Sequence, residues 1–356
     1  MTKRERVEAV YAMKKADRIP FVPAIYEHKG ALVGKTPSQI CRNADFLYAG
    51  LKRELEVYDP DMLVIGIDVY NVEAEAMGAP VAYFDDATVP AIVETFIERP
   101  EDMGKLRVAD PETDARMPVY LEVAEALGRE LGPRMVVRGA VTGPYSMASA
   151  MVGAETFILA TVEEPEFCER LIAFCARATV DFGKAFLKRG VEPIIFDSRA
   201  TPTLASPRVF RKMVTPIYRD YVIPELKAAG GRLMPFIIGG NTTSVIDDLI
   251  ASGASQFLCD RPASLVKWRE KAGAAGVPFR ANVDAVLVNT GPVEAIRRQS
   301  LEILRECHDH PGFLLGCGVV AYDGHPEYVR AISQAIADVA AGTVDWEREL
   351  GASAGA

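Results

Sequence analysis

The stretch RLMPFIIGGNTTSV, residues 232–245, decides the fold. Its first half is a continuous apolar run, the pattern of a strand buried on both faces. The run stops at Gly239-Gly240, and Asn241, Thr242 and Thr243 then lead into a helical pattern. A buried strand that passes through a short polar tip into a helix is one βα unit of a parallel sheet.

The same unit recurs along the chain. Apolar runs stand at RIPFVPAI (18–25), DMLVIGI (61–67), MVVRGAV (135–141) and VEPIIF (191–196), and beyond the opening stretch at SQFLC (255–259), VPFRANV (277–283) and GFLLGC (312–317). With RLMPFII (232–238) they make eight, which predicts an α/β fold, a single (β/α)8 TIM barrel over residues 1–350. A charged helical pattern over residues 1–16 predicts a leading N-terminal helix. After the second strand, VAYFDDATVPAIVETFI (81–97) alternates like a hairpin around Asp85-Asp86, and a helical pattern covers 115–131, so a rim insertion is expected there. Residues 351–356, GASAGA, read as a flexible tail. Pro292 suits a first helical turn, and Val293, Ile296, Leu304 and Cys307 then share a face, which makes Cys307 a core residue.

Composition limits the partners. The chain of 356 residues is 49% hydrophobic and 25% charged, enough to bury a large core. Its net charge of -9 is spread through helices, and no Lys/Arg stripe with interleaved aromatics marks a nucleic-acid surface. No apolar run approaches the roughly 20 residues of a membrane span, and the charged N-terminus has no signal-peptide core. A soluble cytoplasmic protein is expected. Six scattered cysteines without a CxxC pair give no disulfide framework.

In a barrel of this kind the active site lies at the C-terminal ends of the strands. The residues there are Tyr26, Glu27 and His28; Asp68, Tyr70 and Glu73; Thr142 and Tyr145; Asp197, Ser198 and Arg199; Asn241; Cys259 and Asp260; Asn282 and Asp284; and Cys317. Each aspartate also has a structural reading, because a carboxylate after a strand often caps the next helix. Several converging carboxylates would instead raise one another's pKa and equip one as an acid or base, or favour a cation. His28 lies in a loop between Glu27 and Lys29, where exposure to water is the plain expectation. Cys317, between glycines, suits an inert buried thiol as well as a ligand. The one HxH spacing, His308 and His310, precedes the eighth strand at the opposite end of the barrel, no CxxC or HExxH marks a complete metal site, and no P-loop or GxGxxG marks a nucleotide site.

The collinear series DRIPFVP, LVIGIDVYNVEAEAMG, GAVTGPYSMASAMVG, IIFDSRATPTLASPRVF, IIGGNTT, ANVDA and LGCGVVAYDGHPEYVRA resembles the uroporphyrinogen decarboxylase superfamily over nearly the whole chain. The resemblance implies the same barrel and one of two chemistries: cofactor-free decarboxylation of uroporphyrinogen, or methyl transfer to or from a corrinoid protein. The arginine-bearing N-terminal stretch of the decarboxylases is replaced by IYEHKGALVG, and only Asp68 matches their pyrrole-binding aspartate. The branch of the methylcobalamin:coenzyme M methyltransferases fits better. Asp197, Ala200, Ser206 and Pro207 match its fourth-strand segment, and residues 237–243 match its His-Ile-Cys-Gly-Asn-Thr-Thr motif, with the zinc-binding histidine and cysteine replaced by Ile237 and Gly239. Cys317 and Asp260 match two further metal positions, an incomplete set, because zinc in such enzymes takes three or four protein ligands.

The resemblance therefore implies a corrinoid-dependent methyltransferase that moves a methyl group between cobalamin, held on a separate corrinoid protein, and a small substrate. Without zinc to hold a thiolate, that substrate is a methyl ether or another non-thiol group, as for an O-demethylase. In this reading Asp68, Asp197, Glu73 and His28 are the catalytic candidates. Tyr26 and Tyr70 would flank a flat substrate, and Asn241, Asn282 and Asp284 would hold its polar groups. Any zinc would need an altered ligand set around Cys317 and Asp260. Two alternatives stand beside it, a cofactor-independent decarboxylase or lyase and a catalytically silent binding barrel. A homodimer is the family's implied assembly.

Overall fold

The computed structural model describes residues 1–68 and 70–351. All eight apolar runs form strands: β1 Phe21–Ala24, β2 Met62–Ile65, β3 Val136–Thr142, β4 Glu192–Phe196, β5 Pro235–Ile237, β6 Gln256–Cys259, β7 Phe279–Val283 and β8 Phe313–Val319. They pair in parallel in the order β1-β8-β7-β6-β5-β4-β3-β2, with helices outside, and make a nearly closed TIM barrel.

The seam between β1 and β2 has its own closure. The Asp61 N–H donates to the Phe21 carbonyl at 2.9 Å, and the Phe21 N–H donates to the Asp61 carboxylate at 2.7 Å. Asp61 is fully buried and also takes Arg6 at 2.6 Å and Arg18 at 2.7 Å. A doubly paired carboxylate thus stitches the place where the ladder is missing.

Alternation along the strands sorts side chains into a lumen and a helix-facing layer. Val22, Met62, Val136, Leu233 and Leu314 fill the lower lumen, where Val7 and Val10 of the leading helix Lys3–Tyr11 plug the bottom. That helix starts on a capping box, Thr2 with Glu5. Ala24, Tyr26, Val64, Ala140, Ile194, Phe196, Ile237 and Leu258 line the upper lumen.

The rim insertion after β2 is present, as a short antiparallel ribbon pairing Val81–Ala82 with Ala91–Ile92, followed by the helix Met117–Leu131. The six cysteines are free and buried, Cys307 among them. Among the described residues no single helix is long and apolar enough to cross a membrane. Residues 352–356 of the expected tail lie outside the described residues.

Candidate active site

The upper lumen opens at the C-terminal ends of the strands. Tyr26 meets Phe196 edge-on with ring centroids 5.5 Å apart, and half-buried Tyr70 packs beside them. On β7, Phe279, Ala281 and Val283 join the helix-side core, so Arg280 and Asn282 face the lumen. The Asn282 amide donates to Asp260 at 3.1 Å, while its Oδ1 is buried without a partner. Above them, half-buried Glu27 has no side-chain hydrogen bond to another residue and no ion pair among the described residues, its carboxylate meeting only its own backbone N–H. Burial raises its pKa against the opposing pull of Lys29. The charge of Glu27 is felt at both Tyr26 and Tyr70, whose hydroxyl pKa values burial pushes up.

The carboxylates expected to do proton chemistry are placed differently. Asp68 is buried, accepting from Arg116 at 2.7 Å and from the Tyr120 hydroxyl at 3.0 Å, and Arg116 continues to Glu75 at 2.6 Å. Burial raises its pKa while Arg116 holds it down. Glu73 accepts from the Thr142 N–H at 2.6 Å and the Thr142 hydroxyl at 2.7 Å, and burial pushes its pKa up to about 7. Asp197 accepts from the Ser146 N–H at 2.6 Å, near the start of the helix Pro144–Val152, and from the Tyr218 hydroxyl at 2.8 Å. Burial pushes its pKa up to about 6. A side chain at Gly143 would put Cβ 2.3 Å from Asp197, so glycine is what lets the two loops meet. All six oxygens of these three carboxylates thus carry a protein donor.

His28 departs from the expected exposure. It is buried because the turn His28–Ala31 folds under the β8 loop and against the helix Ala44–Tyr58. Its Nδ1 lies 2.8 Å from the Tyr322 carbonyl and its Nε2 2.6 Å from the Tyr58 hydroxyl, and burial lowers its pKa. Lys29 beside it is fully buried, donating to the carbonyls of Val64 and Gly66 at 2.9 Å each.

The donor set does not fit a zinc ion. Ile237 is in the apolar upper lumen, and a Cβ on Gly239 would lie 3.2 Å from Asp260 Oδ2, so an acidic side chain borders the position where the resemblance expects a sulfur ligand. Asp260 is engaged by the Gly240 N–H at 3.0 Å and by Asn282. Cys317 sits with Phe313 and Leu315 in the layer between barrel and helices, fully buried, its thiol pKa pushed up to about 11 by that burial. Among the described residues no group of three or more His, Cys, Asp or Glu is placed to hold a metal ion.

The surviving tail of the motif does structural work. Gly240 has φ +79°, and Asn241 is exposed, its Oδ1 accepting from the Thr243 N–H at 3.2 Å. The Thr242 hydroxyl accepts from Trp268 Nε1 at 3.1 Å, and the Thr243 hydroxyl from the Ser264 N–H at 2.8 Å, which together anchor the helix Leu265–Ala275. Asp284 caps the helix Ala285–Thr290, accepting from Val286 N–H at 2.8 Å and Leu287 N–H at 3.1 Å.

Sequence reasoning left two lumen residues without a role. Glu27 stood among the strand-end residues but carried no task, and Arg280 was hidden inside the run VPFRANV. The available signal was a cation in the middle of an otherwise apolar strand, which has to face something polar.

A parallel barrel with a polar, partly apolar-lined mouth at its C-terminal end defines the (β/α)8 enzymes as a class. Residues 2–339 match the uroporphyrinogen decarboxylase (URO-D) family model, and the chain belongs to that family. It is 30% identical over 235 residues to a uroporphyrinogen decarboxylase of Carboxydothermus hydrogenoformans, covering 64% of each protein. It is 24% identical over 334 residues to the methylcobamide:CoM methyltransferase MtbA of Methanosarcina mazei, covering 90% of this chain and 93% of that one. In three dimensions it matches a methyltransferase from Methanosarcina mazei at a TM-score of 0.83, with 20% identity over 95% of this chain and 99% of the other. Decarboxylases and methyltransferases are both relatives, so the choice between them rests on the site.

Proposed function

We propose that this chain demethylates a small methyl ether, or a similar non-thiol methyl compound, in partnership with a separate corrinoid protein. Cob(I)alamin on that partner supplies the nucleophile and takes the methyl group. The observation that supports the reading is Glu27, a carboxyl held by no other side chain among the described residues, above an apolar lumen where Ile237, with Gly239 beside it, stands at the positions the resemblance gives to zinc ligands.

Tyr26, Phe196 and Tyr70 offer a flat surface for the substrate. Burial keeps the Glu27 proton in place nearer neutral pH than an ordinary glutamate would, which suits a general acid. As the methyl–oxygen bond breaks, its electron pair stays on oxygen and the Glu27 proton passes to that oxygen. An alcohol and a Glu27 carboxylate result. Asn282 holds a polar group of the substrate through its open Oδ1, with Asp260 fixing the amide. Asp68, Glu73, Asp197 and His28 act as positioning residues that hold the strand ends and the rim in place. The exposed valines Val286 and Val319, just beyond β7 and at the end of β8, suit the approach of an apolar macrocycle face.

Lys29 argues against uroporphyrinogen as substrate, because the cation the first loop could offer to its carboxylates is committed to buried carbonyls. The test is anaerobic visible spectroscopy of the protein with cob(I)alamin and a panel of aryl and alkyl methyl ethers. Protein-dependent formation of methylcobalamin is expected, and Glu27→Gln should lower its rate at least 100-fold without lowering the unfolding temperature. Carbon dioxide release from carboxylated compounds without corrinoid turnover would move the assignment to a lyase.

A further inference from the structure

We infer that the barrel floor is a receptor for a carboxylate, so that the substrate is a small, flat, singly carboxylated molecule. Its methyl chemistry rests on the function proposed above, whereas the anion site rests on Arg280 alone.

Arg280 is 4% exposed, yet among the described residues its side chain makes no hydrogen bond and no ion pair, and its Nε is buried without a partner. Its position in the lumen follows from register. Arg280 pairs with Leu258 of the upper lumen on one side and with Leu314 of the lower lumen on the other, so it stands at the boundary between the two layers. Gly316 is fixed as glycine by the Val22 backbone, which a Cβ there would strike first, and the same missing side chain leaves space beside Arg280, whose Cδ would lie 3.2 Å from that Cβ.

The surrounding charge is unbalanced. Arg138 also points into the lumen, donating to the Tyr11 hydroxyl at 2.7 Å. The carboxylate on these inner faces, Glu192, accepts from the backbone N–H groups of Arg232 and Leu233 at 3.0 and 3.1 Å and pairs with neither arginine. Among the described residues neither Arg138 nor Arg280 has a carboxylate within ion-pair distance, inside a protein whose net charge is -9. Burying a cation without a partner is unfavourable, and a planar guanidinium is matched best by a bidentate carboxylate.

The rest of the lumen sets the shape of the ligand. Asn282 lies two residues up β7 on the same face, about 7 Å further toward the mouth, with an Oδ1 open to a donor. Between floor and mouth the walls are Tyr26, Phe196 and Leu258, which suit a ring. Arg199 at the rim, bonded to the Ser149 carbonyl at 3.4 Å, also has no carboxylate partner among the described residues and adds positive potential at the entrance. A molecule with a carboxylate at one end, a ring in the middle and a polar group at the other matches this column.

The experiment is calorimetric titration of the corrinoid-free protein with benzoate, 4-methoxybenzoate and their neutral amides, together with acetate. Both aryl carboxylates should bind at least 10-fold more tightly than their amides and than acetate. Arg280→Gln should abolish that preference, and Arg280→Lys should retain part of it. Equal affinity for acid and amide in the wild type, no binding of either carboxylate, or an unchanged preference in Arg280→Gln would overturn the anion site. Anion binding through Arg280 without cobalamin methylation would leave this site standing and remove the methyltransferase reading. Methylation of cobalamin by neutral ethers only would do the reverse.

Discussion

Replacing Glu73 by glutamine separates the cost of a buried charge from the value of its hydrogen bonds. Glu73 is 1% exposed, its oxygens face one N–H and one hydroxyl of Thr142, and no cation pairs with it among the described residues. Its pKa rises from 4.5 to about 7 on folding, with burial the largest cause. The folded state therefore binds the proton more tightly than the unfolded chain does. The stabilisation this brings is complete below pH 4.5 and is lost as the pH climbs to about 7. At about 1.4 kcal/mol per pH unit the loss is about 3 kcal/mol. In Glu73→Gln the amide oxygen can accept from the Thr142 N–H and the amide nitrogen can face the hydroxyl, so shape and bonding are kept. Urea unfolding at pH 5 and pH 8 measures the effect. The variant should roughly match wild type at pH 5 and exceed it by 1–3 kcal/mol at pH 8, a range set by that order-of-magnitude cost of a buried charge. Glu54, also raised to about 7, and Asp197, raised to about 6, will leave the variant a shallower dependence of its own. Parallel profiles for the two proteins, or a variant less stable at pH 8, would refute the reasoning.

Arg116→Met should cost about 3–5 kcal/mol in urea unfolding, because it leaves the buried Asp68 charge without its cation, and Asp68→Asn added to it should restore part of the loss. Elemental analysis of the purified protein should find far less than one zinc per chain, and a chelator should leave the unfolding temperature unchanged. One tightly held zinc would mean that the side chains around Asp260 rearrange to bind it.

The barrel was legible because strands covered on both faces read as unbroken apolar runs, and each of the eight runs marks a strand whose ends lie within three residues of the run's own. RLMPFII shrinks to Pro235–Ile237, for example, because Leu233 turns down into the lower lumen before the pairing begins. The strand-end residues were legible too, since the fold fixes where they stand. Their partners were not. Asp68 meets Arg116 across 48 residues, Asp197 meets Tyr218 across 21, and His28 meets Tyr322 across 294. A carboxylate looks the same in sequence whether its oxygens are free or filled, and only folding separates Glu27 from Asp68, Glu73 and Asp197.

The two glycines of the opening stretch follow from the same separation. A metal-binding strand end has two tasks, to hold the ion and to hold the next helix, and here they fall on different residues. By the resemblance Ile237 and Gly239 stand at the ligand positions; Ile237 packs into the upper lumen, and Gly239 has no side chain with which to hold the next helix. Thr242 and Thr243 hold Trp268 and Ser264, so changing them would loosen the helix Leu265–Ala275 whatever chemistry the mouth performs. Gly240 is bound to its place by a left-handed backbone and by Thr201, whose Oγ1 would lie 2.8 Å from any Cβ added there. The ligands can therefore be lost while the tail is kept, and the barrel stands. What the exchange leaves behind is an apolar wall at Ile237 beside an acidic corner at Asp260. Under the proposed function a thiol acceptor would need an ion that this set of residues is not placed to hold, whereas protonation of a leaving oxygen by Glu27 needs none.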